Sequence, residues 1–211
     1  VCDKALEPSE EITIERIFPE EPERINQERV TLELEVAQPI FNIGIKDVPV
    51  SSPEESIKRA AVYEILLQLL FGKSSDFYNR HYESGLINNK FAVSFDHDRN
   101  FAHIEISGSC DNPDDVKKAV CEEIALRKNV FFTKEEFDRA KRVVYANNIY
   151  NFDSTEVIAT GFLSFVFSGN DMLEYPSIVS SVSYEESKER LMSSFDINKC
   201  VISIVFPKKT Q

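Results

Sequence analysis

The chain has 211 residues, long enough to bury a sizeable core as one large domain or as two small subdomains that share a sheet. Apolar residues make up 42% of it, with 16 Phe and no Trp, and this composition excludes a disordered protein. The net charge is −12 and no segment concentrates Lys and Arg, so we expect no nucleic-acid partner. No apolar run reaches the roughly 18–20 residues of a membrane span, and we expect no such span.

The cysteines and the first residues indicate the compartment and the domain organisation. No C-x-x-C spacing and no signal-peptide pattern is present, and the four cysteines are Cys2, Cys110, Cys121 and Cys200. We therefore expect reduced thiols in a cytoplasmic protein. Residues 1–28 begin with Val1 and are polar and rich in Pro and Glu, so we predict a linker or arm there, with a short strand at 12–17. We expect a folded domain at 29–211, cut from a longer protein.

Alternating apolar residues predict the strands. Residues 30–36, VTLELEV, carry apolar and polar side chains in turn and predict a half-buried strand, and residues 40–45 predict a second. Residues 90–106 predict a hairpin. The run CVISIVF at 200–206 is apolar on both faces, which is typical of a strand inside a sheet.

Capping signals predict the helices. Ser52 and Pro53 start the most apolar helix, which ends at Phe71 and Gly72, and a short helix follows at 76–84. Further helices are predicted to start at Asn112, Thr133, Asp153 and Ser183. The order of strand, strand, helix pair, hairpin, helices and strand predicts an α+β fold, in which helices cover one side of an antiparallel-dominated sheet.

No motif for metal-dependent or nucleophilic catalysis is present. Zinc peptidases of the inverted type need H-x-x-E-H on one helix, and His81 here has no second histidine before His97. The hairpin brings His103 near Asp96, Asp98 and Glu105, where solvated turn residues are favoured over a catalytic carboxylate pair. We predict no catalytic residue and no metal ligand in this chain.

The short predicted helix carries an aromatic face with a basic residue beside it. Phe77, Tyr78 and Tyr82 are spaced to line a pocket for peptide side chains, and packing against the sheet is the favoured alternative. Arg80 is suited to holding a carboxylate or a backbone carbonyl, or to pairing with Glu83 or Asp76. These four residues and His103 are the predicted substrate contacts.

Four segments carry a resemblance to a known family. Residues 69–78, LLFGKSSDFY, followed by Gly-Leu-Ile at 85–87, describe a buried helix, a Gly/Ser loop, a short helix and a strand. The segments IEISG at 104–108, NPDDV at 112–116 and FTKEEFDRAK at 132–141 follow. In this order they resemble the pitrilysin/insulinase-type (inverzincin) zinc metallopeptidases over residues 28–207. The similarity is to the C-terminal half of bacterial two-half members, in the processing-peptidase-like branch.

The resemblance implies a chamber between two similar halves, of which the N-terminal half carries H-x-x-E-H and the zinc. The C-terminal half has no zinc ligand, closes the chamber and helps to grip the peptide substrate, in many members through an Arg with a Tyr seven positions later. That pair is absent here, since the residue seven positions after Arg99 is Ile106.

The resemblance predicts the non-catalytic half of a zinc-dependent peptidase, paired with a catalytic half in the same chain or in a partner chain. No cofactor is expected in this chain, and no catalysis from it alone. An assembly protein of the same fold without peptidase activity is the alternative, and a small-molecule binding module is the third.

Overall fold

The computed structural model describes residues 17–18 and 22–208, and the strand predicted at 12–17 lies outside them except for Ile17. The strands are β1 (Arg29–Leu34), β2 (Ile40–Asp47), β3 (Ala92–His97), β4 (Ala102–Ser109) and β5 (Cys200–Pro207). The helices are α1 (Pro53–Phe71), α2 (Asp76–Glu83), α3 (Pro113–Asn129), α4 (Lys134–Tyr150), α5 (Thr155–Ser168), α6 (Tyr175–Ser181) and α7 (Tyr184–Ser194). Single 3₁₀ turns occupy Asn151–Asp153 and Ile197–Lys199.

The described strands form one sheet in the order β1-β5-β2-β4-β3. Only the β1–β5 pair is parallel, and the other three pairs are antiparallel. The prediction of an antiparallel-dominated α+β fold is confirmed. Strand β5 lies inside the sheet, as its apolar faces predicted.

One face of the sheet is buried under the helices. Along β2, Phe41, Ile43 and Ile45 are almost fully buried, and across the register Ile43 is opposite both Ile106 and Ile202. Burying this face is the main source of stability, since each large aliphatic side chain removed from water contributes about 1.5–3 kcal/mol.

Helix α1 is the centre of the helical layer and packs against α4, α6, α7 and β3. Tyr63 of this helix is buried, and its ring stacks on that of Phe95 with 3.8 Å between the ring centroids. The Tyr63 hydroxyl donates to Asp47, which satisfies a polar atom that would otherwise be buried without a partner. Burial raises the pKa of Tyr63.

The cap predictions are partly correct. Thr133 forms the full capping box with Glu136, and Ser183 accepts from the backbone of Glu186. Asn112 makes no side-chain cap hydrogen bond. The start of α5 was wrong by one residue, because Ser154 accepts from the Val157 amide and is therefore the N-cap. Helix α6 was not predicted.

The half-buried strand predicted at 30–36 is also corrected. Strand β1 forms at an edge of the sheet, but all six of its residues are exposed. Register with Ser203 and Val205 places Val30 and Leu32 on the face of the sheet that faces away from the helices. The alternation predicted the strand correctly and the burial of its apolar face incorrectly.

None of the helices in the described part of the chain is both long and apolar enough to cross a membrane.

Candidate functional site

A groove of about 1000 Å³ lies beside β3. Its walls come from α1, from the end of α4, from α5 and from the turn after β3. Small-molecule sites of about 300–1000 Å³ enclose most of the ligand, whereas this groove is open to solvent along one side, which suits an extended peptide segment.

Strand β3 gives the groove an unpaired strand edge. It pairs with β4 on one side, and no strand of the described chain pairs with it on the other. The Asp98 amide donates to the Phe101 carbonyl at 2.8 Å, so residues 98 and 101 are a hydrogen-bonded pair of the β3–β4 ladder. Such pairs recur at every second residue of an antiparallel ladder. Val93, Phe95 and His97 lie between them and therefore direct their amides and carbonyls away from β4. These groups are placed to pair with an added extended strand.

Glu64 stands on the wall formed by α1. Its side chain is exposed and lines the groove. Asn148 of α4 donates to its Oε2 at 3.2 Å, and Tyr175 of α6 lines the groove and interacts with the same carboxylate. Partial removal from water raises the pKa of Glu64, and the interactions with Asn148 and Tyr175 offset part of that rise. Burial also raises the pKa of Tyr175.

The other lining residues are mainly aromatic, aliphatic and amide side chains. The aromatic and aliphatic ones are Phe18, Val50, Ile57, Leu67, Val93, Phe95, Val144, Phe165 and Phe167. The amide ones are Gln68, Asn100, Asn147, Asn148, Asn151 and Asn170. Amides donate and accept, so they match the alternating groups of a peptide backbone, while the apolar residues offer contact to side chains.

Few groups in this groove carry a positive charge. Arg99 is the single Lys or Arg side chain that lines it within the described residues. His97 bonds through Nδ1 to the Ser56 hydroxyl at 2.9 Å, and burial lowers its pKa. The groove therefore carries two carboxylates, of Glu64 and Asp98, against one permanent cation.

The predicted substrate contacts lie elsewhere and are not brought together. Phe77 and Tyr78 are 1% and 8% exposed and pack in the core, where Phe77 meets Phe71 edge to face. Tyr82 is exposed and stacks on Tyr78. Arg80 donates to Glu123 at 3.1 Å, an acid on α3, where pairing with Glu83 or Asp76 had been the alternative. None of the five predicted contacts lines the groove, and substrate contact by them stays a prediction.

His103 lies on the open face of the sheet, opposite Asp96 and two residues from Glu105. Ligand atoms of these three residues lie within 4.8 Å of one another, and all three side chains are half-buried. Glu105 already accepts from Asn42 at 2.6 Å, and Asp96 accepts from Ser94 at 3.0 Å. We describe this cluster as a hydrogen-bonded polar patch.

The zinc site of two-half peptidases does not fit the residues present. It requires two histidines four residues apart on one helix, and the three histidines of this sequence are His81, His97 and His103. His81 is on α2 against Phe77, while the other two are in β3 and β4 and face opposite sides of the sheet. The zinc chemistry of such peptidases would need metal ligands from outside these 211 residues.

Comparison with known proteins identifies the family. Residues 4–144, about two thirds of the chain, match the family described as the Peptidase M16 inactive domain. The chain belongs to that family. It is 24% identical over 196 residues to YmfH of Bacillus subtilis, an uncharacterized zinc protease, and covers 46% of that protein. The M16 domain thus spans about half the length of the curated relative that it matches.

Solved structures agree on the fold. An M16-like peptidase from Alicyclobacillus acidocaldarius superposes with a TM-score of 0.87 at 21% identity, over 98% of this chain and 50% of that one. The inactive peptidase domain of a zinc protease from Bordetella parapertussis gives a TM-score of 0.63 at 12% identity, over 85% of this chain and 96% of that one. The architecture predicted from the resemblance, that of a metallopeptidase half, is confirmed.

The sequence interpretation missed Glu64 and its partners, although one signal for them exists. Glu64 is the single charged residue between Arg59 and Lys73, inside the most apolar helix of the chain. A lone carboxylate in such a helix marks a position that is paired or open to solvent, since an isolated charge is costly to bury. Asn148 and Tyr175 have no local signal, because only the packing of α4 and α6 on α1 brings them to Glu64.

Proposed function

We propose that this M16 inactive domain is the non-catalytic half of a zinc-dependent peptidase, which closes a substrate chamber opposite a zinc-bearing half in peptide or protein processing. Membership of the inactive-domain family carries the proposal. The missing zinc ligands and the coverage of about half of each two-half relative support it. The zinc-bearing half belongs to the same chain or to a partner chain.

The exposed apolar surface of helix α5 supports the proposal of a partner half. Its sequence, TEVIATGFLSFVFS, is apolar around most of its circumference, yet none of its residues is buried. Phe162 is 50% and Phe167 is 79% exposed. An apolar helix left open in a folded half marks an interaction site. We propose the zinc-bearing half as its occupant, because that half is the part of the two-half relatives that this chain does not cover.

The groove beside β3 is proposed as this half's contribution to substrate binding. An extended peptide would pair with the outward amides and carbonyls of β3, and its side chains would contact the aromatic walls. A cytoplasmic location completes the proposal. It is supported by the free thiols of Cys110, Cys121 and Cys200.

Reconstitution tests the proposal. The chain and its zinc-bearing half are purified apart and mixed, and cleavage of a quenched fluorescent peptide library and zinc content are measured. We expect no cleavage and no stoichiometric zinc for this chain alone, and chelator-sensitive cleavage for the mixture. Cleavage by this chain alone with equimolar zinc would contradict it. A complex with an intact H-x-x-E-H half that cleaves nothing would favour the assembly role.

The contact surface is tested with a matched pair of variants. Phe162→Asp, at an exposed position of α5 outside the groove, should weaken association of the halves by about tenfold or more, since a buried aromatic anchor contributes about 2 kcal/mol or more to an interface. Val130→Asp, at an exposed position after α3, is the control and should leave association unchanged. Equal effects of the two variants would rule out α5 as the docking helix.

A further inference from the structure

Glu64 is a carboxylate without a basic partner. The ion pairs of the described residues include none that involves Glu64, and its two known partners, Asn148 and Tyr175, are neutral. Those partners orient the carboxylate and leave part of it open to the groove. The exposed part of the carboxylate is therefore available to pair with a cationic group that a ligand brings into the groove.

The groups around Glu64 leave the groove negative. Asp98 and Arg99 of the turn after β3 offset each other, and His97 is held neutral by burial. The α1 side of the groove adds Gln68, and α5 adds Ser164 and Ser168, none of which is charged. The net charge of −12 adds a long-range attraction for cations.

The geometry of the strand edge directs ligand side chains toward Glu64. The side chains of Val93, Phe95 and His97 are on the helix side of the sheet, because their register partners Ile106, Ile104 and Ala102 are buried there. A peptide paired with β3 would place every second side chain on this same side, where α1 carries Glu64. Lys and Arg have long apolar stems, which suit the apolar lining of the groove, and they present a charge at the end.

We propose that the groove selects extended peptides that carry a Lys or Arg side chain, whose cationic group pairs with the Glu64 carboxylate. This specificity rests on the proposed function of the groove as a peptide site. Asn148 and Tyr175 act as positioning residues that hold the carboxylate toward the ligand. An anionic side chain at the same place would meet Glu64 and be rejected.

The test compares two labelled peptides that differ in one side chain, arginine or its neutral isostere citrulline, by fluorescence anisotropy. The assembly of this chain with its zinc-bearing half is used, with the zinc removed so that the peptides are not cut. We expect the arginine peptide to bind about tenfold or more tightly, the worth of one charged hydrogen bond. Glu64→Gln should remove this preference by weakening the arginine peptide alone.

A matched control and the possible outcomes keep the two proposals apart. Glu122→Gln removes one charge from the exposed outer face of α3, away from the groove, and should keep the preference. A preference that survives in Glu64→Gln would overturn the role of Glu64 while the groove proposal stands. If neither peptide binds wild-type protein, the groove proposal fails, and this inference fails with it.

Discussion

Proline at position 93 would remove one hydrogen-bond donor from the free edge of β3 and leave the ladder with β4 intact. The phase set by the Asp98–Phe101 bond directs the Val93 amide and carbonyl outward, so the ladder loses nothing when the amide is absent. Ala92 before it already lies in a strand, the conformation that a residue preceding proline prefers. The variant therefore separates peptide binding from folding.

The expected loss follows from the number of bonds. Each outward residue of β3 offers two backbone hydrogen bonds to a docked peptide, and proline at 93 removes one and sterically displaces the other. At about 0.5–1.5 kcal/mol for each bond, the loss is about 1–3 kcal/mol, or about fivefold to 150-fold in the dissociation constant.

Val93→Ala is the matched control, because it loses the same half-buried side chain and keeps the amide. Titration of a labelled extended peptide should give weaker binding for the proline variant than for the alanine variant, with similar urea unfolding midpoints. Ser94→Pro removes an amide that donates to β4 and should unfold at lower urea than either. Equal peptide affinity of Val93→Pro and Val93→Ala would refute pairing at this edge.

Three further outcomes are expected. Glu64→Gln should raise the free energy of unfolding at neutral pH, because the raised pKa of Glu64 makes its ionisation destabilising to the folded state. The gain should vanish as the pH falls toward the ordinary carboxyl pKa of 4.5. A difference between variant and wild type that does not change with pH would contradict this. Arg80→Ala should lower stability by about 0–1 kcal/mol, since 61% of its side chain is exposed and Arg127 still pairs with Glu123. Glu123→Ala should lower it by more, because it leaves the guanidinium of Arg127, which is 16% exposed, without its carboxylate. If urea titrations gave the two variants equal losses in the free energy of unfolding, this ranking would be contradicted. A hydrogen bond between the Cys121 and Cys200 sulfurs, which are 3.9 Å apart, lowers the pKa of Cys121, so alkylation of Cys121 followed by mass spectrometry should show a midpoint below the ordinary thiol value of 9.0. Cys200→Ala should move the midpoint upward, and an unmoved midpoint would exclude the hydrogen bond as its cause.

The elements of the fold were predictable where local chemistry determines them. The Thr133 capping box and the Gly72 stop are contained within one turn of helix, and the alternation of β3 and β4 reflects one buried face of the sheet. The alternation in β1 predicted a half-buried strand, and this was wrong. Alternation shows only that one face of a strand is apolar, and it does not show that this face is covered. What covers that face depends on the layer packing, and the helices lie on the other side.

The groove was much harder to predict. It needs the end of α4, the start of α6 and the middle of α1 in one place, and the middle of α1 is more than 80 positions from the other two in the chain. The aromatic face of α2 had a clear periodic pattern, and the structure uses Phe77 and Tyr78 for the core. Periodicity reports which side of an element is apolar and cannot report whether the apolar partner is the protein or a ligand.

Amide hydrogen exchange, resolved by residue with and without a bound peptide, tests the central claim most directly. In the free protein, the amides of Ser94 and Asp96 donate to β4 and should exchange slowly, whereas those of Val93, Phe95 and His97 should exchange fast. A bound peptide should slow the fast set and leave the slow set unchanged. Unchanged exchange at Val93, Phe95 and His97 under saturating peptide would contradict the account.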